Sequence, residues 1–345
     1  TMAGQIAYRR TVSFAAVCLA VTGLATSAAA EQVTWNINIF GPPRALTKGI
    51  ESMAEFYKKE SNGEFEMKLN YGSALGPTKQ IPESIKAGGY EGGQICVGYY
   101  PNKFPLLSVM ELPFILPKDT ANRAKVDRAI SQHPAIVKEM ADRWNLKYLS
   151  PLFLPPYEFM GNKEIKSVED MSGVKMRISG LNAKALQVFG AVPTMVTAPE
   201  GYTALERGTI DSFAFPYSYA FGAYKMYEVS KYVTEGMAMG GFMCFHGVSL
   251  DAWNKLPKAL QDKLPEAQEL AEKAILQAYK DADAKWLPLF HKRLTVDKFP
   301  PDQRAKLAAG ASKIWDQWVD EQEAAGRPGR EILEFVKAQV AKYDR

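Results

Sequence analysis

Apolar and polar residues alternate along Val33-Thr34-Trp35-Asn36-Ile37-Asn38-Ile39, which predicts a strand with one buried face. After Gly41-Pro42-Pro43 the period changes. Leu46, Ile50, Met53, Ala54 and Tyr57 recur at three- and four-residue spacing and predict a helix over 45–60, stopped at Asn62-Gly63. A second strand over 65–69, a helix over 77–87 ending at Gly88-Gly89, and a third strand over 94–98 complete a β-α-β-α-β order. That order calls for a parallel or mixed sheet covered by helices. A second unit opens near Leu152, with strands over 152–160, 174–178 and 210–215 and helices over 181–189 and 199–207. From Leu264 toward His291, Ala267, Leu270, Ala271, Ala274, Ile275, Ala278 and Ala282 share one helical face. A helix of that length spans on the order of 40 Å, enough to brace two lobes. Pro288 is placed as its kink or its end, and two more helices are expected over 301–325 and 328–343.

The first 30 residues follow another rule. Arg9-Arg10 precede an apolar run from Val12 to Ala25, and Ala28-Ala29-Ala30 offers small residues before Glu31. This is the pattern of a cleavable secretory signal peptide, and the run falls short of the roughly 20 apolar residues that a membrane-spanning helix needs. The remainder is expected to be exported and periplasmic, and it is nearly balanced in charge once Arg9 and Arg10 are removed. Over the 345 residues, Lys+Arg 42 against Asp+Glu 38, with 47% hydrophobic residues, describes a folded globular chain. So small an excess of dispersed basic residues excludes nucleic acid as a partner. Cys96 and Cys244 both lie in apolar, strand-like runs and are read as buried free thiols.

Catalytic signatures are missing. The chain has no Gly-rich phosphate cradle, no H-E-x-x-H, no C-x-x-C and no G-x-S-x-G. Three scattered histidines do not suggest a metal centre: His133 opens a helix, His246 is read as a satisfied core histidine and His291 as a helix-end dipole contact. No cofactor is expected. An exported α/β protein without catalytic machinery suggests a receptor that captures solutes. A secreted esterase built on Ser212 or Ser218 is the competing class, although neither serine sits in a nucleophile elbow.

Six segments, in order, carry a resemblance. They are Tyr71-Gly-Ser-Ala-Leu-Gly76, Glu111-Leu-Pro-Phe-Ile-Leu116, Ile165-Lys-Ser-Val-Glu-Asp-Met-Ser-Gly-Val-Lys-Met-Arg177, Gly190-Ala-Val-Pro193, Glu200-Gly-Tyr-Thr-Ala-Leu-Glu-Arg-Gly-Thr-Ile-Asp211 and Tyr227-Glu-Val-Ser-Lys-Tyr-Val-Thr234. Together they cover nearly the whole mature chain, which resembles the solute-binding proteins of TRAP transporters, the DctP family. The resemblance implies a two-lobed α/β fold of the Venus-flytrap kind, with a long helix bracing both lobes. Lobe one is expected from 31–152 with about 247–290, and lobe two from 153–246 with about 291–345. It further implies a monomeric receptor that closes on a small carboxylate and delivers it to a membrane permease. A sensory receptor that hands the same ligand to a signalling partner is the alternative.

The family's central residue is the arginine ending the Gly-x-Lys-x-Arg segment, here Arg177, which the resemblance assigns to the ligand's carboxylate. A planar guanidinium offers two parallel donors that lysine cannot reproduce. Tyr157 stands where the sialic-acid branch has a second arginine, Phe215-Pro216 replaces its Asn-Pro, and Cys96 takes an acidic position, so sialate is not expected. Ala214-Phe215 lacks the carboxylate that metal-bridging branches bring there, which argues against a metal. Phe215, Tyr217 and Tyr219 are read either as core or as cleft wall, whereas Phe213, Tyr224 and Tyr227 are read as core packing. Phe40, Arg44, Tyr99 and Tyr100 follow strand ends, where open α/β sheets bind ligands. Arg44 either supplies a second positive charge or is a surface arginine at a helix start. The expected ligand is a monocarboxylate with an aromatic or apolar body; a small 2-oxo or 2-hydroxy acid, or a C4-dicarboxylate held by Arg177 and Arg44 together, is the alternative.

Overall fold

A computed structural model describes residues 32–178 and 180–343. The signal-peptide reading of residues 1–30 lies outside them. Eleven strands occur among the described residues: β1 (Val33–Asn38), β2 (Phe65–Asn70), β3 (Gly92–Cys96), β4 (Leu146–Pro151), β5 (Tyr157–Gly161), β6 (Lys175–Arg177), β7 (Val192–Pro193), β8 (Ser212–Pro216), β9 (Tyr232–Met239), β10 (Cys244–Ser249) and β11 (Thr295–Lys298). They form two sheets, one in the order β2-β1-β3-β10-β4 and the other β11-β9-β5-β8-β6-β7. The pairs β1–β2 and β1–β3 are parallel, so helices Lys48–Glu60 and Ile81–Lys86 must cross over between them. Strand β10 pairs antiparallel with both β3 and β4.

Two short segments connect the sheets, residues 152–156 between β4 and β5 and residues 240–243 between β9 and β10. The long helix is the third connection. It runs unbroken from Leu264 to Arg293, with Pro288 inside it at an exposed position rather than at its end. It packs on helix Lys48–Glu60 and β4 in one lobe and on helix Tyr219–Ala223 and β11 in the other. Ala267, Ala271, Ile275, Tyr279, Ala282 and Phe290 are its buried residues. Arg123 ties the two short crossings together. Its guanidinium is buried and donates to Leu154 O (3.3 Å) and Met239 O (3.5 Å), one carbonyl on each chain segment entering a crossing.

Several sequence expectations shift. The strand expected over 152–160 is a crossing followed by β5, and β4 precedes it. Strand β10 belongs to the first sheet, so the second crossing lies at 240–243, ahead of the expected lobe boundary near 246. The C-terminal helices, placed wholly in lobe two, also touch the other side: helix Gly329–Tyr343 packs on helix Thr120–Ser131, and Trp318 Nε1 donates to Ser108 Oγ at 2.9 Å.

Candidate functional site

Strand β6 ends at Arg177, in parallel register with Phe213 of β8. Asp211 fixes that register: its backbone N–H donates to Lys175 O (2.7 Å), and its carboxylate accepts from Lys175 N (2.9 Å). The Arg177 side chain is 1% exposed. Its Nε donates to Val196 O at 2.9 Å, Nη1 to Ala214 O at 3.1 Å and Nη2 to the Tyr99 hydroxyl at 2.8 Å. Every one of these acceptors is neutral, and no carboxylate pairs with Arg177 among the described residues. Guanidinium carries five N–H donors, so one remains uncommitted on each terminal nitrogen. Ring faces surround the charge, with centroids at 4.4 Å (Phe213), 4.9 Å (Phe242), 5.2 Å (Phe215) and 5.7 Å (Tyr99). Quadrupoles stabilise such a cation partly, but a buried charge still favours an opposite one.

Tyr99 reaches Arg177 from the other lobe, on the short helical turn after β3. Its hydroxyl oxygen also accepts the Ala198 N–H at 3.0 Å. One neutral oxygen thus takes two converging donors, the arrangement a carboxylate oxygen would adopt.

Beside this pair lies a cavity between the sheets. Phe40, Arg44, Gln94, Cys96, Tyr99 and Cys244 line it from one lobe; Phe215, Tyr219, Ala220 and Tyr224 line it from the other; Leu154, Tyr157 and Phe242 lie on or against the crossings. It is small, about 20 Å³, room for a single water molecule. Apolar packing is continuous from lobe to lobe through these rings. Gly241 permits the closeness of the crossing, since a Cβ there would come within 2.2 Å of the Tyr157 ring.

The sequence-predicted residues divide. The structure brings Phe40, Arg44, Cys96, Tyr99, Tyr157, Phe215 and Tyr219 to the cavity wall, with Arg177 against Tyr99 and Phe215. Tyr157 is buried and accepts the Phe242 N–H through its hydroxyl. Tyr219 stacks on Tyr279 of the long helix at 4.9 Å. Two residues go elsewhere. Tyr100 turns into lobe one, where its hydroxyl meets Thr78 O, and Tyr217 turns outward to Glu235 because the chain bends at Pro216. Arg44 is not a surface arginine but 6% exposed.

The free-thiol reading is corrected: Cys96 and Cys244 form a disulfide. They are direct partners in the antiparallel β3–β10 register with Cα atoms 4.0 Å apart, a proximity their separation in sequence hides. Cys96 therefore stands on the cavity wall as half of a cystine. His246 is buried as expected but not satisfied; neither ring nitrogen has a partner among the described residues, and burial pushes it down to about 3. Gln94, Tyr224 and Leu154 were not singled out from sequence as cavity residues. Gln94 sits two residues before the disulfide cysteine inside a strand, and nothing local marks it. Ser212 Oγ donates to Met160 O and Ser218 Oγ to Asp283, so neither serine hydroxyl is presented to a histidine.

Two α/β lobes joined by three crossings, with a cavity between their sheets and a buried guanidinium beside it, match the architecture of a solute receptor. The chain belongs to the bacterial extracellular solute-binding protein family 7, DctP, whose profile matches residues 40–322. It is a TRAP-type solute-binding protein of that family. It is 29% identical over 287 residues to a solute-binding protein of Verminephrobacter eiseniae strain EF01-2, covering 81% of this chain and 79% of the relative. It is 27% identical over 285 residues to the monocarboxylate 2-oxoacid-binding periplasmic protein of Nostoc sp. strain PCC 7120, covering 79% and 77%. The crystal structure of a TRAP periplasmic solute binding protein from Desulfovibrio salexigens with bound orotic acid is similar at a TM-score of 0.78 and 25% identity, over 90% of this chain and 100% of that one. Among the described residues no helix is long and apolar enough to cross a membrane.

Proposed function

We propose that the protein is the periplasmic receptor of a TRAP transporter, that it captures an organic monocarboxylate with an aromatic or apolar body, and that it hands this ligand to a membrane permease. The observation that carries the reading is Arg177: a guanidinium 1% exposed, without a carboxylate partner among the described residues, ringed by four aromatic faces. An incoming carboxylate takes the two free terminal donors and replaces the Tyr99 hydroxyl as the charge-matched acceptor, while the aromatic walls cover the apolar body. Two of the three named relatives are described with organic acids, a 2-oxo monocarboxylate and orotic acid, which agrees with a carboxylate at the centre of recognition. Removal of residues 1–30 on export places the mature chain, acting as a monomer, in the periplasm. The disulfide is consistent with that compartment, since such bonds persist where the redox poise is oxidising.

Isothermal titration of the mature protein, unfolded and refolded to strip any co-purified ligand, with aromatic, 2-oxo and aliphatic acids tests the proposal. Aromatic acids bind most tightly, and Arg177→Ala weakens them at least about 100-fold, because each charge-assisted bond contributes roughly 1.5–3 kcal/mol. Binding of neutral sugars alone, or an unchanged affinity in Arg177→Ala, overturns it.

A further inference from the structure

The cavity beside Arg177 has a polar end, at Arg44, Gln94 and Tyr224, that a carboxylate at Arg177 leaves unused. Arg44 is buried and lacks a carboxylate partner among the described residues; its Nη1 donates to Phe40 O (2.9 Å) and Pro42 O (2.8 Å), and its Nη2 to Gln94 Oε1 at 3.5 Å. Three solvent-shielded polar atoms at this end have no partner among the described residues: Arg44 Nε, Gln94 Nε2 and the Tyr224 hydroxyl. All three side chains line the one cavity. Gln94 is fully buried and stands opposite His246 in the β3–β10 register, and the two ring nitrogens of His246 are unpartnered too. Leaving a buried donor or acceptor unpaired costs about 1–3 kcal/mol, so native proteins rarely collect several at one spot without a purpose.

We infer that this end reads a second, uncharged oxygen of the ligand, a hydroxyl or carbonyl placed across an aromatic ring from the carboxylate held at Arg177. The inference rests on the proposed carboxylate site. Rings separate the two ends along both walls. On one wall Phe215 is 5.2 Å from the Arg177 guanidinium and 5.6 Å from the Tyr224 ring, over which Arg44 lies at 5.4 Å. On the other, Tyr99 and Phe40 are 5.7 Å apart and Arg44 sits 5.4 Å from Phe40. A flat ring is the body that matches this spacing and these faces.

The donor pattern selects the second group. Arg44 Nε and Gln94 Nε2 only donate, whereas the Tyr224 hydroxyl donates or accepts. A ligand hydroxyl accepts from the first two and returns its hydrogen to Tyr224; a carbonyl accepts from all three. Three of the five Arg44 N–H groups already face neutral oxygens, which leaves the Nε–H and one Nη2–H for the ligand beside the neutral Gln94 amide and the Tyr224 hydroxyl. The Tyr224 hydroxyl reaches this position only because Gly41 has no side chain: at φ +74° a Cβ would stand 2.0 Å from that oxygen.

Calorimetry with benzoate, 3- and 4-hydroxybenzoate and terephthalate tests the assignment. At least one hydroxybenzoate binds about 10-fold or more tightly than benzoate, the discrimination expected when a buried site is built to meet an oxygen. Gln94→Leu and Arg44→Met, each checked by thermal unfolding, bring that ratio to within about two-fold. A wild-type ratio near one, a ratio that survives in both variants, or terephthalate as the tightest ligand overturns the inference. Failure of the underlying carboxylate reading looks different: none of the acids binds, or Arg177→Ala binds them all as wild type does, and the inference falls with it.

Discussion

A single side chain organises the site, and its energetics are unusual. Arg177 is held by three neutral oxygens and four ring faces, which position it but do not neutralise it. A charge buried in this way is retained at a cost to stability, since replacing it with an apolar group of similar volume is commonly neutral or stabilising. Arg177→Met is therefore expected to unfold at the same temperature as wild type or a few degrees higher, while losing carboxylate binding. A variant that melts well below wild type would mean that the guanidinium is structural, and one that still binds as wild type does would remove it from the ligand site. The sequence singled out Arg177 through its motif, and strand-end logic singled out Phe40, Arg44 and Tyr99, which line the cavity, together with Tyr100, which does not. Gln94 stayed hidden, and Tyr224 and His246 were read only as core, because their meaning lies in partners 50 or more residues away, which no local pattern encodes.

At the scale of elements, the cystine joins the central strand of the first sheet to the strand that has just crossed from the second. It fastens β3 to β10 at their cavity ends, closing a chain separation of 148 residues. Replacing both cysteines with alanine is expected to lower the free energy of unfolding by about 2–5 kcal/mol, read from the urea midpoint. An unchanged midpoint would show that the sheet pairing alone fixes the crossing. Most alternating and amphipathic elements were readable from sequence. Strands β4, β9 and β11 were not placed, and two further misses have a physical reason. Leu152, Phe153 and Leu154 are apolar because the crossing is buried between lobes, so they read as a strand. Helix Thr120–Ser131 gave no signal because it turns Arg123 and Asp127 inward, where one ties the crossings and the other accepts from the Tyr148 hydroxyl, so its polar residues do not mark a solvent face. Helix Pro134–Trp144, capped by His133, follows it directly.

For the whole molecule, the buried acids give stability a definite pH dependence. Burial pushes the Glu111 carboxyl up to about 8, and Glu158 and Asp127 up to about 7, although backbone N–H groups or a tyrosine hydroxyl bond each of them. Their folded forms hold protons that the unfolded chain releases near pH 4, so this stability is complete at low pH and is lost as pH rises through 7 and 8. His246, pushed down to about 3 by burial, acts in the opposite sense, but only below its ordinary value of 6.5. Between pH 6.5 and 8.5 the acids alone operate, and unfolding should become easier as pH rises, with a shallower slope in Glu111→Gln; a flat or rising profile would contradict this. Under the proposed function, capture requires the lobes to part, because the present cavity has no room for a ring-bodied acid. Small-angle scattering should record a smaller radius of gyration with a verified ligand than without, and no contraction would argue against hinged closure. The most direct measurement is a crystal structure with a bound organic acid. The account predicts both carboxylate oxygens within about 2.7–3.0 Å of the Arg177 terminal nitrogens. A carboxylate bound elsewhere, with the Arg177–Tyr99 bond intact, would contradict it.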